Sequence, residues 1–365
     1  MARRSPPIAF TKSDIQITFF IIPIIVLLFG IAGNCINVAI FAKKKMRQTS
    51  TFRYLLYLSI SDLFVLTFAC ADVLIKSNSS FELRGFSLFP CNIQKFLAYS
   101  FNYISSFLLV AVSIERALII SFFDNSNQQN TSRIKSFLMF FLACHKQSVV
   151  DSIVLLIVAS MLIINAHFIF ALKPSSLVYF ERGEGHALNK TTSSYEILAC
   201  VPVKSSFYEK FLTHAWHWVD LGLYSVIPFV SISTCSLVII RKLREMNQSY
   251  VQRLNSNPTK ASVGVCLAKL KRNAQISLML VSSSAYFLFT TLIFWLWFFE
   301  RSERKETLES NLVQSLVYML LYSNNAFGIL FYSCSSEKYR RTFMNCFRCN
   351  DLLASSREDV SQMFA

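Results

Sequence analysis

This chain is short of the residues that interrupt helices and of those that keep a protein in water. Among its 365 residues there are 8 Gly and 8 Pro, and only 16% are Asp, Glu, Lys or Arg. So little glycine and proline excludes collagen-like and low-complexity architectures. The scarcity of charge, set against 53% hydrophobic residues and a mean hydropathy of +0.44, excludes an ordinary soluble domain. Internal repeats and Gly- or Pro-interrupted apolar segments, the marks of many transporters, are missing as well. So are the alternating segments of about ten residues from which a transmembrane barrel is built.

What the chain does contain is seven long apolar runs, near 15–42, 54–76, 96–120, 151–172, 211–240, 273–299 and 311–334. About 20 apolar residues cross the hydrocarbon core as a helix, the open-chain form that satisfies its own backbone in lipid. The net charge of +15 lies in short segments between these runs and forms no basic face, so it carries topology and not affinity for nucleic acid. Lys43, Lys44, Lys45, Arg47 and Arg53 follow the first run without an acid. Arg241, Lys242, Arg244, Arg253, Lys260, Lys269, Lys271 and Arg272 follow the fifth against the single Glu245. The positive-inside rule makes both links cytoplasmic. The expectation is a multi-pass plasma-membrane protein with an extracellular N-terminus, whose first run serves as an uncleaved signal anchor.

Ionisable groups within apolar runs are costly and mark function. Here they are Asp62 in the second run, Glu115 and Arg116 at the cytoplasmic end of the third, and Asp72 and Asp220 near outer ends. Most of the ten cysteines sit in or beside spans, where they serve as small buried apolar residues. Cys91 and Cys200 fall instead in the external compartment, where disulfides persist. Cys346 and Cys349 follow the last run, where either palmitoylation or a plain interfacial thiol fits. Asn78 and Asn189 begin acceptor sequons in external loops; Asn130 and Asn247 begin others on the cytoplasmic side, where no glycan is added. No enzyme or metal constellation is visible. His214 and His217 make the one histidine pair at helical spacing, and they face the outer interface.

Several motifs occur in a telling order. They are Gly33-Asn34-Cys35-Ile36-Asn37-Val38, Leu58-Ser59-Ile60-Ser61-Asp62, Cys91, Ser113-Ile114-Glu115-Arg116-Ala117, Cys200, Pro228, and Glu337-Lys338-Tyr339-Arg340-Arg341-Thr342-Phe343. Together they resemble the rhodopsin-like (class A) G-protein-coupled receptors over about residues 15–348. The resemblance implies an all-α membrane protein, a seven-transmembrane helix bundle with a short amphipathic C-terminal helix. Residues 1–14 would form an extracellular N-terminus, 15–336 the bundle, and 337–365 the cytoplasmic helix and tail. It further implies a Cys91–Cys200 disulfide and G-protein coupling through Glu115, Arg116 and Tyr332. Asp62, Ser105, Asn324 and Asn325 would make a pocket similar to the family's sodium site, sodium being the one bound species expected and no other cofactor or metal.

The chain also departs from the family. Ala117 replaces the usual Tyr, Gly328-Ile329-Leu330-Phe331-Tyr332 keeps only the Tyr of its motif, the fourth run has no Trp, and neither the sixth nor the seventh run has a Pro. A proline-based hinge is therefore not expected. Ala98 stands where amine receptors carry Asp, and Tyr322 where opsins carry Lys, which argues against amine and retinal ligands. Asp72 and Asp220, with Tyr99, Asn102, Trp216, Tyr318 and Tyr322, suit a cationic ligand, although such aromatics also serve as interfacial belts. The long second external loop is more similar to those of neuropeptide receptors. The expected partners are an extracellular peptide or small molecule, a heterotrimeric G-protein and the lipid bilayer. The alternative is a chemosensory or poorly coupling orphan or decoy receptor of the same fold, ahead of a transporter or channel.

Overall fold

The computed structural model describes residues 17, 21–70, 91–125, 147–181, 193–202, 206–256, 260–301 and 308–347. Among the described residues six helices are long and apolar enough to cross a membrane: Ile22–Phe41, Ser50–Cys70, Asn92–Ser121, Gln147–Phe170, Trp216–Ser249 and Ala274–Glu300. A seventh crossing comes in two pieces, Leu308–Ala326 and Gly328–Ser335, and a separate C-terminal helix, Glu337–Phe347, follows it. These seven are numbered below as spans one to seven. Parts of the expected first and second runs, 15–16, 18–20 and 71–76, lie outside the described residues.

Polar side chains show how the spans alternate. Asn92, at the start of span three, donates to the Ile169 carbonyl at the end of span four at 2.6 Å, and Gln94 donates to the Phe68 carbonyl at the end of span two at 2.6 Å. The start of span three thus meets the ends of two and four, and this is the Cys91 end of the bundle. Arg116 marks the other end. Span three is the central column, with 61% of its most apolar stretch buried against 22% for span four. Span four turns Leu155, Leu156, Ile163 and Phe170 outward, an arrangement that lipid accepts and water does not.

Span four, which has no Trp, is fixed by polar contacts. Arg53 of span two donates its Nε to Asp151 at 2.6 Å and pairs a second nitrogen with the other carboxylate oxygen, a bidentate arrangement. Tyr57 adds a 2.8 Å bond to Asp151, and Arg53 reaches Gln147 at 2.9 Å. After span four the chain forms an antiparallel hairpin, β1 (Leu172–Glu181) with β2 (Ser193–Pro202), which contacts span three.

Span one lies against span seven because two glycines allow it. A Cβ on Gly30 would stand 2.8 Å from the Cβ of Ala326, and one on Gly33 would stand 3.0 Å from Ile329 Cγ2. Spans two and five carry wide π turns, Leu66–Cys70 and Leu221–Val226. The second of these runs into Pro228, which has no N–H to return to the preceding turn. Spans six and seven contrast sharply. Span six belongs to one uninterrupted helix of 42 residues, Lys260–Arg301, whereas span seven breaks at Phe327, where φ is −91° and ψ is 6°.

Candidate functional site

The centre of the bundle is polar. Asp62, buried on span two, accepts a 2.6 Å hydrogen bond from the Ser105 hydroxyl and a 2.7 Å bond from the Asn325 amide, both on the same oxygen, Oδ1. Asn325 also reaches the Ser105 hydroxyl at 3.2 Å. Three spans therefore meet on one carboxylate, which a buried charge requires. Asn324 lines the same cavity but bonds neither Asp62 nor Ser105, so three of the four expected residues converge and the fourth stands beside them. The cavity holds about 20 Å³, room for a single water or small ion. Ser106, Ser283, Tyr224 and Tyr332 add further hydroxyls to its lining, and Leu58, Leu109 and Phe287 give it apolar walls. Carboxylate, hydroxyl and amide oxygens are the donor set of a hard cation.

Next to this pocket lies the break in span seven. The Asn34 amide donates to the Asn325 carbonyl at 2.8 Å and to Gly30 at 2.9 Å. Beyond the break, the Leu330 N–H bonds back three residues to Phe327 at 3.0 Å, a tightened turn in place of the α-helical step. Span seven is thus interrupted although it has no Pro. The break sits at Phe327–Gly328, and a buried Asn on span one covers the carbonyl beside it.

At the Arg116 end, the expected Glu115–Arg116 pair is loose. Arg116 is only 3% exposed, and its Nε stands 3.7 Å from Glu115 Oε2. Glu115 is held more closely from span two, by the Thr51 hydroxyl at 2.7 Å and by Ser50 on its other oxygen. Sequence reasoning missed Ser50 and Thr51, since nothing in their spacing points to a partner 64 or 65 positions away. Tyr332 is buried between Phe41 and Tyr339, with ring centroids at 5.4 and 6.0 Å. The Tyr339 hydroxyl donates to Asn37 at 2.6 Å, docking the C-terminal helix onto span one.

At the Cys91 end, Asp220 is half-buried and already has a partner. It accepts a 2.6 Å hydrogen bond from the Tyr103 hydroxyl, and Lys95 is close enough to act on its charge. One helical turn away, Trp216 is buried in an aromatic wall with Tyr99, His167 and Phe168, at ring distances of 6.4, 4.3 and 5.3 Å. The ammonium of Lys95 lies 5.5 Å over Phe168. His167 Nδ1 meets the Tyr208 hydroxyl at 2.6 Å, and burial pushes that phenol up to about 12. The remaining expected contacts are spread more widely. Tyr318 stacks on Tyr322 at 6.3 Å, Tyr322 packs with spans one and two, and Ala98 packs in the same cluster. Asn102 turns back to the Ala98 carbonyl and lines the central cavity.

Asp72, Asn78, Asn189 and Cys349 lie outside the described residues, as do the side chains of Cys91, Cys200 and Cys346. Among the described cysteines no disulfide forms: Cys35, Cys70, Cys235 and Cys334 are free thiols.

Residues 33–328 match the family described as 7 transmembrane receptor (rhodopsin family). The chain belongs to this family, which is a receptor family and not an enzyme family, and it is a multi-pass membrane protein. A Caenorhabditis elegans protein described as a probable G-protein coupled receptor is 21% identical over 367 residues, which span 94% of this chain and 72% of that protein.

Proposed function

We propose that the chain senses a ligand at the Cys91 end of the bundle and relays the change to the Arg116 end through span seven, where a heterotrimeric G-protein is the receiving partner. The observation that carries this reading is the polar cluster that meets span seven beside its break. Asp62, Ser105 and Asn325 converge beside the break at Phe327, and Tyr332 lies beyond it. A ligand needs only to favour one arrangement of the break over another to shift the population. The positive-inside distribution of charge supports placing the Cys91 end outside the cell.

For the ligand we favour a peptide with a basic group. Asp220 with the wall of Tyr99, Phe168 and Trp216 offers a carboxylate flanked by π faces, and the hairpin of β1 and β2 presents strand edges to which an extended peptide can add. A sodium ion suits the oxygen-lined cavity at Asp62. The proposed Cys91–Cys200 bridge would tie β2 to the start of span three.

A second reading, a chemosensory receptor that couples weakly, draws on the uninterrupted helix of span six and on the altered motifs at Ala117 and Gly328. The similarities to known proteins stop at receptor membership, which supports this broader reading better than a peptide-specific one.

One experiment separates the two readings. Cells expressing the chain are screened with basic and neutral amidated peptides, with labelled-peptide binding and second-messenger output measured in parallel. Basic peptides that bind and signal, with Asp220→Asn weakening both about tenfold or more, support the first reading. Binding without output supports the second. Equal binding of basic and neutral peptides by Asp220→Asn and by the unaltered chain removes Asp220 from the ligand site.

A further inference from the structure

Asp220 and the aromatic wall already have a cation against them. Lys95 lies half-buried on span three, one helical turn before Tyr99, and its ammonium stands 5.5 Å over the Phe168 ring and 6.0 Å over the Tyr99 ring. The same charge acts on Asp220. These are the groups proposed to take the ligand's basic group, and they suit an ammonium in particular. The Tyr99 ring is inclined by 38° to Phe168 and by 61° to Trp216, and those two by 85° to each other. A compact head meets several such faces, where a flat guanidinium stacks on one. On the carboxylate, the Tyr103 hydroxyl takes Oδ1, and Tyr103 is itself fixed between Tyr99 and Tyr224, with ring centroids at 6.2 and 6.4 Å. A two-pronged guanidinium contact would have to share that oxygen, whereas an ammonium needs Oδ2 alone.

We infer that Lys95 is a tethered stand-in for the ligand's cation: its ammonium holds the place that a lysine side chain or a free amine of the ligand takes on binding, and the ligand must displace it. The inference rests on the reading of Asp220 as the ligand's counter-charge. Two ammonium groups at one carboxylate repel each other, so the ligand's cation and Lys95 exclude one another. The flexible four-carbon stem of Lys95 allows the exchange, because the head can swing into water at the Cys91 end while the stem stays packed. Lys95 then acts with the opposite sign to a ligand contact. It holds basic ligands off, and removing its charge strengthens their binding without helping neutral ones. A Lys95 that paired with an acidic group of the ligand would give the reverse.

The test uses the full chain in lipid nanodiscs and labelled, N-acetylated, amidated hexapeptides, in sets that are identical except for a single Lys, Arg or norleucine. Lys95→Gln should bind the Lys peptides about tenfold more tightly than the unaltered chain does, since a cation–π and charge contact no longer has to be displaced. It should bind the norleucine peptides as before. Adding Asp220→Asn to Lys95→Gln should remove the gain, and the unaltered chain should bind the Arg peptides more weakly than the Lys peptides. Lys-peptide affinity that is unchanged or lower in Lys95→Gln would overturn the inference. So would an equal gain for the norleucine peptides, which would make Lys95 a steric block, and so would Arg peptides binding the unaltered chain better than Lys peptides. If Lys95→Gln does not fold, Lys95→Met keeps the stem and removes the charge, and the same outcomes decide. Weaker Lys-peptide binding by Asp220→Asn with no gain in Lys95→Gln would reject the displacement alone. Lys and norleucine peptides bound alike by the unaltered chain and by Asp220→Asn would remove Asp220 from the ligand site, and this inference with it.

Discussion

Spans six and seven both lack proline and arrive at different structures. They pack against each other, and span seven, with Asn324, Asn325 and Gly328, is the more polar of the two. Span six nevertheless runs within one helix from Lys260 to Arg301, while span seven stops at Ala326 and restarts at Gly328. The difference lies in what each faces. The broken segment meets Gly30 and Gly33 of span one at close range, the Asn34 amide takes up a carbonyl beside the break, and the Asn325 side chain is drawn to Asp62. Span six touches the same cavity through Ser283 and Phe287, yet sends no hydrogen bond to Asp62. A helix can thus be interrupted by tertiary partners that satisfy its freed backbone groups, without a residue that forbids the helix.

The largest expected effect comes from removing the partner that span seven supplies. Asn325→Ala takes one of two hydrogen bonds from a buried carboxylate and should cost about 2–3 kcal/mol, read as a lower Tm in detergent. The matching change on span six, Ser283→Ala, should move Tm little, since Ser283 lines the cavity without bonding Asp62. Equal losses would show that both spans hold the carboxylate. Next in size is Gly30→Ala, whose new methyl would lie 2.8 Å from Ala326 Cβ and 3.1 Å from its Cα. Overpacking of this kind costs about 1–3 kcal/mol, and surface expression should fall with Tm. An unchanged Tm would mean that span one does not clamp the break.

The smallest effect concerns the hydrogen bond between the two spans. Tyr286 of span six meets the Ser323 hydroxyl at 2.6 Å, and Ser323 keeps a bond to the Leu320 carbonyl when Tyr286 is changed. Tyr286→Phe should therefore cost only ~1 kcal/mol while leaving the ring contacts to Phe327 and Phe331, at 6.1 and 5.6 Å, in place. A loss as large as that of Asn325→Ala would make the join between the spans, and not the Asp62 centre, the main support of span seven.

The same contrast separates what was legible in the sequence from what was not. The spans were legible because hydrocarbon demands long apolar runs, and Asp62 because an acid within such a run stands out. The break at Phe327 was not, because its causes lie on span one, where Gly30, Gly33 and Asn34 are nearly 300 positions away. Glu115 was legible as a charge, but its closest partners Ser50 and Thr51 were hidden for the same reason. Asp220 was visible as an outer acid. Its bond to Tyr103 depends on how spans three and five face each other, which no periodicity fixes. Asn37 and Tyr339 show the limit most plainly, two buried polar groups that meet only when the C-terminal helix folds back onto span one.

The central claim is that span seven yields at Phe327 while span six stays whole, and backbone hydrogen exchange measures this directly. With the chain in a lipid nanodisc, the amides of residues 326–331 should exchange about tenfold faster or more than those of residues 284–291 in span six, because the interrupted helix opens locally at lower free energy. Gly328→Ala, which meets only an ordinary 3.4 Å contact with Tyr332, should narrow the gap by favouring continuous helix. Equal protection of the two segments in the unaltered chain would contradict the account.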